Sequence, residues 1–299
     1  MKRYIVLISI LSTLLYSCNN EELLSDATGV FEATEVIVSS ESNGKILAFN
    51  LNEGDIIMRD KALGYVDSTD LVFTKQKLIV NKKVALASLP NVSAQVEATK
   101  QEIEKQEHEK ERIVRLLAGD VATQKQMDDI EAAIKILKAR LRSQKSMLAN
   151  STSSVHAQMA AIDVQIEQVN NQIKKCNIHS PIDGTVLVKY AEKGELTGRG
   201  KPLFKVADVG NMFLKAYVTA SQLTEIKLGQ AVKVFGEFGE SDNRPYDGKI
   251  TWISSKSEFT PKTIQTQDER ANLVYAVKIA VKNDGYLKIG MYGGFKIAN

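Results

Sequence analysis

The stretch Ser180-Pro181-Ile182-Asp183-Gly184-Thr185-Val186-Leu187 decides the fold, because a related stretch occurs earlier, at Asn43-Gly44-Lys45-Ile46-Leu47. In each copy a second glycine follows the first by ten residues, at Gly54 and at Gly194, and an acidic residue comes directly after it. Both copies alternate apolar and polar residues between their glycines. This pattern predicts short strands joined by tight turns.

The two copies span roughly 35–71 and 176–210, and about 35 residues are too few to bury a core alone. Two such halves packed together could form one small β-sandwich. Because they lie far apart in the sequence, the chain between them has to leave the pair and return to it. The repeat therefore predicts one β domain, split by a long insertion.

The insertion, residues 72–175, has the pattern of an antiparallel helical hairpin. Apolar residues recur in alternating steps of four and three, which is the 3.5-residue period of a coiled-coil seam. The predicted outward positions are Leu78, Lys82, Ala85, Leu89, Val92, Val96, Thr99, Ile103, Gln106, Lys110, Ile113 and Leu117. The predicted return positions are Met127, Ile130, Ile134, Leu137, Leu141, Gln144, Leu148, Ser151, Val155, Gln158, Ile162, Ile166, Val169 and Ile173.

Two features interrupt this pattern. The arms meet at Ala118-Gly119-Asp120-Val121-Ala122, where we expect glycine to permit the turn. Pro90 should kink or break the outward arm, because it lacks an amide donor. The run Asn150–Ser154 lies equally far from the turn on the other arm, so that a shared bend and a coincidence both stay open.

Residues 211–299 lose the helical period and predict a small β-barrel. The predicted strands are Phe213–Val218, Ala231–Phe235, Gly248–Ile253, Leu273–Val281 and Gly294–Ile297. A short helix is expected at Ser221–Ile226, with Ser221 as its cap. The predicted fold class is therefore α+β and elongated: a split β-sandwich, an inserted coiled-coil hairpin and a small barrel.

The N-terminus has the features of an export signal. Lys2 and Arg3 precede an apolar run that is too short to span a bilayer comfortably. The run ends in Leu15-Tyr16-Ser17-Cys18, which resembles a bacterial lipobox. We predict a signal peptide at 1–17, lipid on Cys18 and a linker at 18–34; an ordinary secretory signal is the alternative. Cys176 is then left without a disulfide partner.

Composition argues against several classes of function. The net charge is +3 and the two signs are interspersed, so no nucleic-acid partner is expected. His108, His156 and His179 are far apart in sequence, which predicts no metal site. No Walker A motif or GxSxG elbow occurs, and we predict that the protein is not an enzyme.

The two halves resemble those of a lipoyl-type domain. With the inserted hairpin and the barrel, the chain resembles the periplasmic adaptor, or membrane fusion, proteins of the HlyD type. Besides the two glycine-containing copies, the resemblance is carried by Leu287-Lys288-Ile289-Gly290-Met291-Tyr292 and by Glu258–Lys262 with Gln267–Arg270 and Leu273–Val277. It implies a periplasmic, ring-forming homo-oligomer that bridges an inner-membrane transporter to a TolC-like outer-membrane channel.

In that family an Arg, a Leu and a Ser at the hairpin tip dock on the channel. The spacing falls here on Arg112, Leu116 and Thr123, with Gly119 in the turn. Threonine replaces the family's serine and adds a methyl group. Alternative roles are a solvated charge for Arg112, a core position for Leu116 and a helix cap for Thr123.

The resemblance also bears on the transporter and on cofactors. Many adaptors of RND pumps continue into a further membrane-proximal domain, for which this sequence has no length, and this favours an ABC-type transporter. A lipoyl or biotinyl group is not expected, because the hairpin replaces the turn that would carry the modified lysine and Lys61 lies in the wrong turn. The alternatives are a structural coiled-coil envelope lipoprotein, an adaptor for an RND or MFS-type pump, and a lipoyl- or biotin-dependent carrier subunit.

Overall fold

The computed structural model describes residues 25–238, 243–259 and 273–297. The chain falls into two compact units. The β unit is drawn from Met1–Glu41, Lys45–Tyr65 and Ile178–Asn299, and the helical unit from Ser42–Gly44 and Val66–Asn177. The predicted signal peptide and Cys18 lie outside the described residues. Among the residues that are described, no helix is both long and apolar enough to cross a membrane.

The two sequence repeats form matching sets of strands. The first half supplies β2 (Gly44–Phe49), β3 (Ile56–Ile57) and β4 (Ala62–Val66). The second half supplies β5 (Asn177–His179), β6 (Gly184–Lys189), β7 (Leu196–Thr197) and the start of β8 (Pro202–Thr219). The short strand β3 pairs with β6, and its counterpart β7 lies beside β2 in a sheet of order β5-β4-β2-β7. Each half therefore completes a sheet of the other.

Backbone hydrogen bonds repeat this exchange. The amide of Gly194 donates to the carbonyl of Ile46 over 2.8 Å, and the amide of Gly54 donates to the carbonyl of Val186 over 2.9 Å. The two bonds are equivalent in the repeat: Gly54 lies 140 positions before Gly194, and Val186 lies 140 positions after Ile46. Ile46 and Val186 are both almost fully buried, so the exchange lies in the sandwich core. The split β-sandwich predicted from the repeat is confirmed.

A second reciprocal pair of bonds lies further along the two halves. The amide of Gly200 donates to Ser40 over 2.9 Å, and the amide of Asp60 donates to Ser180 over 2.8 Å. Both donors have a positive φ, 83° for Gly200 and 60° for Asp60. An L-residue reaches this conformation only at a cost, so the same turn is formed in both halves although only one has glycine there.

A closed barrel follows the sandwich within the β unit. Its strands are β1 (Ala27–Ser39), β8, β9 (Ala231–Glu237), β10 (Asn243–Phe259), β11 (Leu273–Lys282) and β12 (Tyr292–Ile297). Their order is β1-β12-β9-β10-β11-β8, and β8 pairs back to β1. All these pairings are antiparallel. Closure leaves no open edge among the barrel strands that the structure describes.

The barrel interior is apolar. Its largest side chains come from five of the six strands and are at most 1% exposed: Phe31, Met212, Leu214, Ile250, Ile279 and Phe295. In the second half of β11 the buried face is Val277, Ile279 and Val281. Toward the start of the strand the alternation changes phase, because Val274 is buried and Leu273 is exposed. A register shift in the pairing with β10 accounts for this change, since a bulge re-aims the side chains beside it.

The prediction of a linker is wrong at the start of the described chain. Residues 27–34 were expected in a linker, but they form the first part of β1 and pair with both β12 and β8. The strand that closes the barrel, β1, therefore ends more than 170 residues before the end of β8. The barrel was predicted at 211–299 without this strand, because β1 lies far in sequence from the strands with which it pairs.

The short helix after β8 also differs from the prediction. It is one 3-10 turn at Gln222–Thr224, and Ser221 makes no side-chain cap. Thr219 has that role instead: its hydroxyl accepts from the amide of Gln222 over 3.4 Å, and Gln222 Oε1 accepts from the amide of Thr219 over 2.9 Å. This is the reciprocal arrangement of a capping box, two residues earlier than expected.

The helical unit is the predicted hairpin. The outward arm consists of α1 (Thr69–Ala87) and α2 (Val92–Leu117), and the return arm is the single helix α3 (Gln124–Lys174). Pro90 breaks the outward arm as expected, and Asn91 caps α2 by accepting from the amide of Ala94. The return arm is helical throughout Asn150–Ser154. At 1.5 Å per residue α3 is roughly 75 Å long.

The predicted seam is confirmed along most of both arms. Its most buried residues are Ala85, Val96, Thr99, Ile103, Ile134, Ile162 and Val169. The prediction is wrong at Val92, Ser151 and Gln158, which are exposed. Thr152 and Met159 are half-buried in place of Ser151 and Gln158. Two steps of four therefore follow each other at Gln144, Leu148 and Thr152. Such a stutter locally unwinds a coiled coil, which a count of strict heptads misses.

Barrel closure predicts the effect of one substitution. Gly29 pairs with Gly293 on β12 and with Ala216 on β8, and a Cβ placed on it would lie 2.1 Å from the carbonyl oxygen of Lys215. We expect Gly29→Ala to lower the free energy of unfolding by about 1–3 kcal/mol, as overpacking does. Chemical denaturation followed by circular dichroism measures this loss.

Gly210→Ala is the matched control. The nearest atom to its added Cβ would be Asp208 Oδ1 at 3.5 Å, an ordinary contact. This variant should unfold at the denaturant concentration of the parent chain. Equal losses in the two variants would contradict the closure argument.

Candidate partner-docking site at the hairpin tip

The tip of the hairpin, residues 112–123, is formed by a Schellman-type turn. The amide of Val121 donates to the carbonyl of Leu116 over 2.9 Å, and the amide of Asp120 donates to Leu117 over 3.1 Å. These bonds satisfy the last carbonyls of α2 and stop the helix. The motif requires one left-handed residue, and Asp120 provides it with φ at 55°.

The expectation that glycine permits this turn is therefore wrong in its position. Gly119 does not have a positive φ, and a Cβ on it would make only ordinary contacts, the nearest at 3.7 Å. Aspartate tolerates the left-handed conformation better than most L-residues, because its short side chain can form local hydrogen bonds. The sequence correctly predicted where the turn lies, but it did not show which residue has the left-handed conformation.

Thr123 begins the return arm as a helix cap. Its hydroxyl accepts from the amide of Gln126 over 3.3 Å, and Gln126 Oε1 accepts from the amide of Thr123 over 2.8 Å. Both halves of a capping box are thus present. The residue is exposed, so its methyl group faces solvent at the tip while its hydroxyl serves the helix.

Arg112 lies on the last turns of α2 in an ion pair of its own helix. Its Nε donates to Glu109 Oε2 over 2.9 Å, and its side chain is 63% exposed. The hydrogen bond from Arg112 holds the pKa of the Glu109 carboxyl below its ordinary value, and the same bond raises the pKa of Arg112. An exposed pair of this kind adds little to stability. A partner with a carboxylate could therefore take over the guanidinium at small cost.

The structure brings Arg112 and Leu116 to one side of α2, four residues apart. Leu116 is half-buried, and Thr123 lies on the next helix. Val114 and Val121 were not predicted as site residues, and they are 46% and 75% exposed. Val121, in the turn, is the more exposed of these two apolar side chains. A branched apolar residue inside a polar turn was the signal that could have identified it.

The chain has two cysteines, Cys18 and Cys176. Cys18, the predicted lipid attachment, lies outside the described residues. Cys176 is a free thiol and only 2% exposed, so it packs as a small apolar residue.

The predicted resemblance is confirmed at the level of the fold, which consists of a split lipoyl-like sandwich, an inserted helical hairpin and a barrel. No protein-family model matches the chain.

Several individual proteins are similar to this chain. MacA from Actinobacillus actinomycetemcomitans has a similar structure, with a TM-score of 0.55 at 22% identity, over 91% of this chain and 78% of that protein. The periplasmic adaptor protein EmrA is similar with a TM-score of 0.44 at 15% identity, over 92% and 98%. A "UPF0194 membrane protein" of Yersinia enterocolitica is 25% identical over 96% of this chain and 94% of its own length.

The left-handed residue of the tip predicts a stabilising substitution. Asp120→Gly should raise the free energy of unfolding of the hairpin by about 0.5–1 kcal/mol, because glycine adopts this conformation without a steric penalty. Asp120→Val should lower it, since a β-branched residue fits poorly at positive φ. Thermal unfolding monitored by circular dichroism measures both, and Gly119→Ala serves as the tolerated neighbour. A loss of stability in Asp120→Gly would contradict the assignment of the turn.

The cap at Thr123 predicts a second pair of variants. Thr123→Ala should lower the free energy of unfolding by about 1 kcal/mol, because the amide of Gln126 loses its acceptor. Thr123→Ser keeps the hydroxyl and should retain nearly all of the stability. Hydrogen exchange of the first turn of α3 reports the same difference locally. If the two variants exchanged equally fast there, the capping box would not be what holds this turn.

Proposed function

We propose that this protein is the periplasmic adaptor subunit of a tripartite efflux or secretion system. It bridges an inner-membrane transporter, of the ABC type, to a TolC-like outer-membrane channel. It acts without catalysing a reaction: the sandwich and barrel serve the transporter end, and the hairpin reaches toward the channel. Lipid on Cys18 anchors it to the inner membrane in the periplasm, and several copies form a ring.

The exposed tip is the observation that carries the proposal. It presents the apolar side chain of Val121 at 75% exposure, and the guanidinium of Arg112 near the end of the outward arm is 63% exposed. The turn that holds them is ordered by backbone bonds and by the cap of Thr123. A rigid, partly apolar end on two helices suits docking between helices of another protein, because little conformational freedom is lost on binding.

The charge arrangement of the arms supports a spacer role for the rest of the hairpin. Ion pairs join the arms at three heights: Lys82 with Asp163 at 2.6 Å, Glu107 with Lys138 at 2.6 Å and Lys110 with Glu131 at 2.8 Å. These pairs agree with the register that the buried seam gives the two arms. A constant register lets the two arms act together as one spacer.

The proposal is tested by crosslinking from the tip. We expect a cysteine in Gly119→Cys, placed where added bulk is tolerated, to capture an outer-membrane channel through a thiol-reactive photocrosslinker in cells that express transporter and channel. Ala149→Cys, exposed in the middle of α3, is the matched control and should capture no channel. Mass spectrometry of the crosslinked band identifies the partner. Capture from both positions or from neither would contradict the proposal.

A structural envelope lipoprotein remains the competing function, and export separates the two. In an adaptor, Arg112→Glu combined with Leu116→Ala should abolish export of the cargo while the chain remains folded and abundant. A spacer lipoprotein would show unchanged export with this variant. The partner transporter is identified by the same crosslinking strategy from the barrel, with the ABC class expected and an RND or MFS pump as the contrary result.

A further inference from the structure

One level of the hairpin lacks the buried seam that is present on either side of it. In the described stretch 86–95 of the outward arm no side chain is buried, whereas Ala85 before it and Val96 after it are 5% and 2% exposed. Heptad spacing would place Val92 in the seam, but this residue is 39% exposed. The outward arm therefore supplies no buried layer over about three helical turns.

Two contacts between the arms show what lies opposite this stretch. On the base side, the ammonium of Lys82 lies 2.6 Å from a carboxylate oxygen of Asp163. On the tip side, the hydroxyl of Thr99 donates to Oε1 of Gln144 over 2.9 Å. Halfway between these contacts the outward arm has reached the break between α1 and α2, and the return arm has reached the run Asn150–Ser154. The two features predicted from the sequence therefore lie at one level.

The return arm also skips a seam position at this level. Heptad spacing would place Ser151 in the seam opposite Val92, but Ser151 is exposed and the neighbouring Thr152 is half-buried. This is the stutter of α3, and a stutter locally unwinds a coiled coil. The layer that Val92 and Ser151 would form is thus missing from both arms at once.

The backbone is interrupted on only one of the two arms. At the end of α1 the amide of Leu89 donates to the carbonyl of Leu86 over 3.2 Å, in the short three-residue pattern of a helix end. Pro90 has no amide to donate, and Asn91 caps the start of α2. Only α3 crosses this level as a continuous helix, through Asn150–Ser154, whose side chains compete with helical hydrogen bonds. The stiffness of the hairpin at this level therefore depends on one helix, at its weakest stretch, instead of on two packed helices.

We propose that this level is a joint, at which α3 bends and the tip-side segment of the hairpin, residues 91–152, moves as one body so that the tip can reach its partner. The joint consists of four half-buried residues, Leu89, Pro90, Thr152 and Val155. A bend at the joint separates no buried apolar layer, so its cost in free energy is small. This inference rests on the proposed adaptor function, to which it adds the way in which the tip is brought to the channel.

The length of the tip-side segment makes a small bend effective. Helix α2 has 26 residues and is therefore roughly 39 Å long. A bend of about 10° at the joint displaces the tip by roughly 7 Å, which exceeds one helical turn. The turn at Asp120 and the cap of Thr123 lie beyond the joint and keep their hydrogen bonds. The joint therefore widens the reach of the tip without loosening the surface that docks.

Hydrogen exchange of the full chain in detergent tests whether the joint exists. We expect the amides of 150–156 in α3 to exchange about tenfold faster than those of 130–136 and 162–168, because each of these flanking stretches contains a buried seam residue, Ile134 or Ile162. Equal protection along the whole of α3 would overturn the proposal.

Distances between pairs of spin labels measure the bend directly. Ser143→Cys with Gln168→Cys places two labels 25 residues apart on one stripe of α3, on opposite sides of the joint. Lys125→Cys with Asn150→Cys has the same spacing within the tip-side segment and is the matched control, since all four positions are exposed. The distance distribution across the joint should be roughly 2 Å broader, because labels about 10 Å from the helix axis move by that amount when α3 bends by about 10°. Equal widths would contradict a bend.

Filling the joint tests what it does. Thr152→Leu places an apolar side chain at the half-buried seam position, and Pro90→Ala restores an amide to the outward arm. We expect each variant to slow exchange of 150–156 about tenfold and to raise the midpoint of thermal unfolding. Each should nevertheless lose most of the channel capture from Gly119→Cys. Stability and capture then change in opposite directions, which a weak point without a role in docking does not produce.

Ser151→Leu is the matched control for these variants. Ser151 is exposed beside Thr152, so the same apolar side chain is added outside the seam, and exchange, unfolding and capture should equal those of the parent chain. Stabilisation by Ser151→Leu in place of Thr152→Leu would overturn the stutter. Full capture in Thr152→Leu, with exchange at the joint slowed, would overturn the role of the joint in docking. If the parent chain captured no channel while its labels still reported the bend, the adaptor function would fall and the joint would remain.

Discussion

The reciprocal backbone bonds between the two halves of the sandwich are the constraint on which the rest of the structure depends. Gly54 and Gly194 each donate to the central strand of the opposite half, so neither half forms its sheet alone. More than a hundred residues separate the halves, and this long loop is closed at an entropic cost that grows only slowly with length. A hairpin is the simplest insertion that both departs and returns, and its coiled coil provides its own stability.

The barrel is bound by a second nonlocal constraint. Strand β1 is shared, since its first part closes the barrel between β12 and β8 and its later part continues along β8 beside the sandwich. One strand thus joins the two β elements into one unit. The closure depends on Gly29, where the neighbouring backbone leaves no space for a Cβ. Among the described residues the barrel strands pair in a closed order, which leaves no barrel edge open to another chain.

The tip of the hairpin is both ordered and apolar. It is ordered by hydrogen bonds that involve Asp120 and Thr123, and it exposes apolar atoms at the far end of the helices. Along the arms, heptad spacing fixes which residues share a stripe, so a regular seam also sets the spacing of the outer side chains.

The sequence by itself determined the split sandwich, the hairpin with its break at Pro90, the barrel strands after β8 and the capping role of Thr123. These follow from local periodicity, turn residues and a repeat, all of which can be counted along the chain. Only the tertiary structure decided that residues 27–34 close the barrel, where Ala27, Gly29 and Phe31 are buried in alternation with the more exposed Thr28 and Val30. It also decided that Asp120 rather than Gly119 is left-handed and that the seam shifts at Thr152. In each case the deciding contact joins residues far apart in sequence, or depends on a backbone angle that more than one neighbouring residue could supply.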